Sequence, residues 1–61
     1  MKNHLYYIRY RGHNGRDMVM IRTSTMSIPE LTEQWNKWYE FAIKNHGYKL
    51  YNIIEEDFKY D

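Results

Sequence analysis

Few side chains in this 61-residue sequence are of the kind that carry out chemistry, and their spacing decides what they can do. His4, His13 and His46 are the only imidazoles, and no two of them stand at the separation of metal ligands on one helix or one hairpin. Cysteine is absent, which removes thiolate zinc sites, thiol nucleophiles and disulfides together. His13 and Asp17 flank an Asn-Gly pair and approach each other if that pair turns a hairpin, but no nucleophile comes with them. Glu55-Glu56-Asp57 groups three carboxylates. Neighbours along a strand point to opposite faces and do not converge on one cation, so a solvated charge run is expected there. Ser24 and Ser27 lie in no nucleophile elbow, and no glycine-rich phosphate loop occurs. The expectation is a protein that is not an enzyme and has no catalytic, cofactor-binding or metal-binding residues.

Binding chemistry is better represented. Tyr6 to Arg11 reads YYIRYR, three rings and two guanidinium groups around one isoleucine. Whether these side chains recognise a partner or only pack depends on the face each one takes, which the surrounding elements fix.

Asn14-Gly15 separates two alternating runs rich in β-branched and aromatic residues. Asn-Gly suits a type I′ turn, whose two central positions both need positive φ. The predicted hairpin covers residues 3–23, and a two-residue loop puts His13 opposite Arg16. Tyr10 then faces Val19, Ile8 faces Ile21 and Tyr6 faces Thr23, so that Tyr6, Ile8, Tyr10, Val19 and Ile21 form the core side. On the other side Arg11 meets Met18, Arg9 meets Met20 and Tyr7 meets Arg22. A longer loop using Gly12 with a bulge is the alternative.

Ser27-Ile28-Pro29-Glu30 reads as a helix start: Ser27 caps the free amides, Glu30 closes a capping box and Pro29 lacks a donor the first turn cannot use. The predicted helix covers 28–46, with Gly47 as its left-handed stop. On a helical projection Leu31, Trp35, Trp38 and Ala42 fall on one line, flanked by Ile28, Tyr39 and Ile43, while Glu33, Asn36, Lys37, Glu40 and Lys44 take the outer face. A third strand is expected at 48–54, its facing left open by imperfect alternation, followed by an acidic tail at 55–61. With strand 3 beside strand 1, the fold class is α+β. It is a two-layer β-β-α-β domain whose three-stranded antiparallel sheet, in order 2-1-3, carries one amphipathic helix on one face.

The totals agree with a single small domain over 1–61. Two tryptophans, seven tyrosines and two phenylalanines supply the core that disulfides cannot. The near-neutral balance hides an asymmetry. Residues 1–26 hold five basic side chains against Asp17, a net of +4, and residues 27–61 hold four lysines against seven acids, a net of −3. No long apolar run is present, so neither a signal peptide nor a membrane span is expected, and a cytoplasmic location is the default.

One helix covers one sheet face and leaves the other open. The expected partner-binding residues on that open face are Tyr7, Arg9, Arg11, Met18, Met20 and Arg22, types enriched in protein interfaces. The plain alternative is a solvated face in which arginine stems lie over Tyr and Met. From size and the absence of chemistry, the expected function is a non-enzymatic protein-binding module. Such a chain suits an accessory or inhibitor protein of a phage or other mobile element, which docks its open face or an edge strand on a larger host protein such as a nuclease or defence complex; a phage-encoded chain would act in the host cytoplasm. A homodimer through the same face is a further expectation. The alternative function is nucleic-acid binding by the basic aromatic hairpin. The near-neutral chain and the acids after strand 3 count against it.

Overall fold

A computed structural model of the chain describes residues 3–56. Its elements are β1 (His4–Arg11), a short 3-10 turn (His13–Gly15), β2 (Asp17–Ser24), α1 (Ile28–Trp38), α2 (Glu40–His46) and β3 (Lys49–Glu56). The sheet has the order β2-β1-β3 with both pairings antiparallel, and the helices pack against one face of it. This is the expected α+β architecture, with the helical layer built as two segments instead of one. Strand β3 runs two residues beyond the expected 48–54 and takes in Glu55 and Glu56 of the expected acidic tail; the remainder of that tail lies outside the described residues.

The hairpin departs by one residue from the register of the two-residue loop and takes the alternative, a longer loop using Gly12 with a bulge, with large consequences. Asn14 (φ 60°) and Gly15 (φ 72°) both adopt the left-handed region, and the Arg16 amide donates to the His13 carbonyl at 3.3 Å, so the Asn-Gly turn forms where it was expected. However, the Arg16 carbonyl accepts from the Gly12 amide at 2.7 Å, which leaves His13 as an extra residue. The strands therefore pair Arg11 with Asp17, Tyr10 with Met18, Arg9 with Val19, Ile8 with Met20, Tyr7 with Ile21 and Tyr6 with Arg22. A slip of one residue reverses both faces of β2. Met18, Met20 and Arg22 lie on the helix side, and Val19 and Ile21 lie on the open side, the reverse of the expected facing.

The physical reason is cover. Burial selects a register only where one face of a strand is buried, and in β2 only Met20 and Ser24 are even partly so. The helices therefore discriminate weakly between the faces of β2, and local geometry at Gly12 decides. A Cβ on Gly12 would stand 2.9 Å from Met18 Cγ and 3.3 Å from Tyr10 Cε2. Only a residue without a side chain lets Met18 and Tyr10 close over this point.

Ser27 caps the helical layer as expected, whereas the Glu30 carboxylate engages the Ser27 hydroxyl in place of the backbone amide that a capping box uses. The Glu30 amide donates to Ser27 Oγ at 3.4 Å, and the Ser27 hydroxyl donates to Glu30 Oε1 at 2.9 Å. Tyr39 (φ −108°, ψ 22°) then breaks the helix. Helical hydrogen bonds still run through it, from the Tyr39 amide to the Trp35 carbonyl at 3.0 Å and from the Ile43 amide to the Tyr39 carbonyl at 2.8 Å. Trp35, Tyr39 and Ile43 turn toward the sheet with Leu31, while Trp38 faces outward at 54% exposure on a surface it shares with Phe41. This overturns the expectation that Trp38 belongs to the core with Trp35.

Among the described residues four large side chains are fully buried: Tyr6 and Ile8 from β1, Leu31 and Trp35 from α1. The Tyr6 hydroxyl donates to the Met26 carbonyl, which ties the β2–α1 connection to the core. Around Trp35, Tyr10, Tyr39 and Tyr48 form a ring cluster, the three tyrosines mutually 6.0, 6.1 and 6.3 Å apart between centroids. Burial and the neighbouring phenols push the Tyr10 hydroxyl above its ordinary pKa, and burial does the same to Tyr6.

Candidate partner-binding face

The face of the sheet away from the helices is built in rows by the two registers. Thr23, Leu5 and Glu56 form one row; Ile21, Tyr7 and Ile54 the next; then Val19, Arg9 and Asn52; and finally Asp17, Arg11 and Lys49 at the hairpin end. The row through Tyr7 crosses all three strands. Val19 (58% exposed), Ile21 (62%) and Ile54 (42%) surround it, so β-branched side chains that suit a covered strand stand in solvent here. One half of the face is thus apolar and the other is rich in cations.

Strand β3 reaches this arrangement through a bulge. Arg9 pairs with Asn52 while the next residue, Tyr10, pairs with Leu50, so Tyr51 is the extra residue on β3. The bulge resolves the imperfect alternation of this strand: Leu50 and Ile53, three apart, both pack toward the helices, and Ile54 points to the open face. Tyr51, released from the ladder, lies across β1, and its hydroxyl donates to Asp17 Oδ1 at 3.0 Å. That hydrogen bond, with partial burial and the Asp17 charge, raises the Tyr51 pKa, against the opposing pull of the Arg11 and Arg9 guanidinium groups. Tyr51 and Asp17 thereby span the cationic half of the face from edge to edge, over the two arginines of β1.

Of the expected partner-binding residues, Tyr7, Arg9 and Arg11 are on the open face. Met18, Met20 and Arg22 are not: each sits opposite a helix-facing residue of β1, and Met20 packs at the core margin, where its sulfur lies 3.9 Å from the Tyr39 hydroxyl. Their places are taken by Asp17, Val19 and Ile21, with Tyr51 and Ile54 from β3. The signals for these lay in the glycine just before the turn and in the broken alternation of LYNII, each of which marks a bulge.

The histidines are placed apart. His4 Nδ1 contacts Glu55 Oε2 at 2.9 Å on the half-exposed helix side. His13 does not meet Asp17; its ring lies 5.6 Å from that of His46, at the C-terminal end of α2. Among the described residues no group of three or more histidine or carboxylate side chains converges as metal ligands would, and no helix is long and apolar enough to cross a membrane. Compared with known proteins, the chain matches no family model, no curated protein and no solved structure.

Proposed function

We propose that this chain is a protein-binding module that docks the open face of its sheet onto a larger protein. The observation that carries the reading is the row Ile21–Tyr7–Ile54, in which the exposed Ile21, Ile54 and neighbouring Val19 flank a half-buried Tyr7 on a face that no described element covers. Interface centres favour large apolar and aromatic groups desolvated behind a polar margin. Here the margin is charged: Arg9 and Lys49 have no ion-pair partner among the described residues, Arg11 donates through Nε to the Gly47 carbonyl at 3.3 Å, and Asp17 is already engaged by Tyr51. The partner that fits offers an apolar ridge to Tyr7 and carboxylates to the arginines. Strand β2, uncovered at its outer edge, provides backbone groups for added strand pairing beside the ridge. A module of this kind acts sterically, by covering a partner's surface, which suits an accessory or inhibitor role such as a phage or mobile-element protein plays toward a host enzyme.

Nucleic acid is the second reading, favoured by Tyr7 and Tyr51 standing with Arg9, Arg11 and Lys49 on one face. The three exposed aliphatic side chains favour protein.

The test is capture from native lysate after nuclease treatment, comparing the wild-type chain with Ile21→Glu and with Trp38→Glu as a control on the opposite surface. The expected result is one stoichiometric protein partner, lost with Ile21→Glu and retained with Trp38→Glu. Equal capture by the Ile21→Glu protein would remove the open face from the interaction. Capture abolished by nuclease would transfer the reading to nucleic acid, with an affinity that falls steeply as salt is raised.

A further inference from the structure

On the helix side of the sheet, away from the docking face, the hairpin tip and the start of β3 enclose a cleft of about 350 Å³. That volume lies within the range of small-molecule sites. Its apolar wall is Tyr10, Tyr48 and Met18, with the Tyr10 and Tyr48 rings 6.0 Å apart and inclined by 28°. Its polar rim is His13, Asn14 and Arg16 from the turn. Gly12 closes the floor, where a Cβ would collide with Met18 and crowd Tyr10.

The charge pattern of the cleft is one-sided. Among the described residues no carboxylate lines it. The nearest in sequence, Asp17, is turned to the other face of the sheet and held by Tyr51. Arg11 also approaches this end of the molecule, its Nε donating to the Gly47 carbonyl at 3.3 Å. The rings of His13 and His46, 5.6 Å apart, suggest a cation site at first sight, but Arg16 lines the cleft with His13 and Arg11 reaches the Gly47 carbonyl next to His46 in the chain, and this local positive charge favours an anion.

From this geometry we infer that the cleft binds a small planar-ring oxyanion, a single ring bearing a phosphate or carboxylate, with the ring against Tyr10 and Tyr48 and the oxyanion on Arg16. A guanidinium offers its paired N–H groups equally to carboxylate and phosphate oxygens. Tyr10 and Tyr48, stacked on each other, give the ligand ring an apolar wall that inorganic ions cannot use. The His13 bulge is what carries Arg16 and Asn14 over the opening, so the same extra residue that sets the register of β2 also shapes the site.

Nuclear magnetic resonance titration of the full chain with phenyl phosphate and with benzoate, against inorganic phosphate and phenol as half-ligands, tests the inference. The expected result is saturable movement of the Gly12–Arg16 and Tyr48 amide signals with one or both ring oxyanions, at least about tenfold tighter than with either half-ligand. Which of the two binds tighter assigns the oxyanion. Arg16→Gln, at an exposed turn position that leaves the fold intact, is expected to weaken binding about tenfold or more. Absence of saturable shifts would overturn the inference. So would an equal response to inorganic phosphate, or unchanged affinity in Arg16→Gln, since either describes diffuse attraction to a basic surface.

Discussion

The two tryptophans, three residues apart, have opposite fates, and that difference is open to measurement. Trp35 is fully buried with its Nε1 donor unpartnered among the described residues, whereas Trp38 is 54% exposed. Trp35→Ala is expected to cost about 3–5 kcal/mol, enough to unfold a domain of this size. Trp38→Ala is expected to stay within about 0.5 kcal/mol of wild type. Denaturant titration followed by circular dichroism reads both, and a large loss in Trp38→Ala would contradict its outward placement. Trp35→Phe should fall well below Trp35→Ala in cost, because it keeps most of the ring area and removes a buried donor that has no acceptor. The tyrosines add a pH dependence. Tyr6 and Tyr10 have pKa values raised by burial, so their neutral forms favour the folded state. This stability is fully present below the unfolded-chain pKa near 10 and is lost as pH rises through the higher folded values. Chemical denaturation should show stability level through neutral pH and falling above about pH 10, with a shallower fall in Tyr10→Phe; a level profile through pH 11 would contradict the burial of these phenols.

At the level of the elements, the α1 start is the most local feature and the simplest to test. Ser27→Ala removes both the acceptor for the Glu30 amide and the donor to its carboxylate, and should lower stability by about 1 kcal/mol in a thermal melt. The hairpin poses a sharper question. Deleting His13 leaves Gly12 opposite Arg16 and Arg11 opposite Asp17 across a plain two-residue Asn-Gly loop, which is the pairing the protein already has without its bulge. The deletion variant should therefore keep its fold, with a stability within about 1 kcal/mol of wild type. Retention of the Ile8–Met20 cross-strand contact in nuclear magnetic resonance spectra is the direct check; an Ile8–Ile21 contact in its place would show the opposite facing. The Ser27 cap, the Asn-Gly turn, the Gly47 stop and the three strands were all legible in the sequence because each carries a strong signal in residues close along the chain. The facing of β2, the break at Tyr39 and the bulge at Tyr51 were not, because each answers to a neighbour across the sheet or under the helix.

For the molecule as a whole, the balance is between a small core and a large uncovered sheet. Among the described residues four large, fully buried side chains carry the interior, while the opposite face leaves Val19, Ile21 and Ile54 in water. Solvent-exposed apolar groups on one strand add little to folding and much to association. Ile21→Lys should thus shift the thermal midpoint by only a few degrees while suppressing any concentration-dependent association seen by light scattering. A dimer that survives this change would place self-association elsewhere, with the Trp38–Phe41 surface as the next candidate. The sequence by itself determined the order and type of the elements, the sheet order β2-β1-β3, and the inward facing of Tyr6, Ile8 and Tyr10, since period, capping and turn chemistry are local and all point one way. Tertiary structure alone decided which side chains of β2 and β3 form the open face. A one-residue bulge exchanges the two faces of a strand at little local cost, and only the packing of Gly12 against Met18 and Tyr10, together with the reach of Tyr51 to Asp17, selects between them.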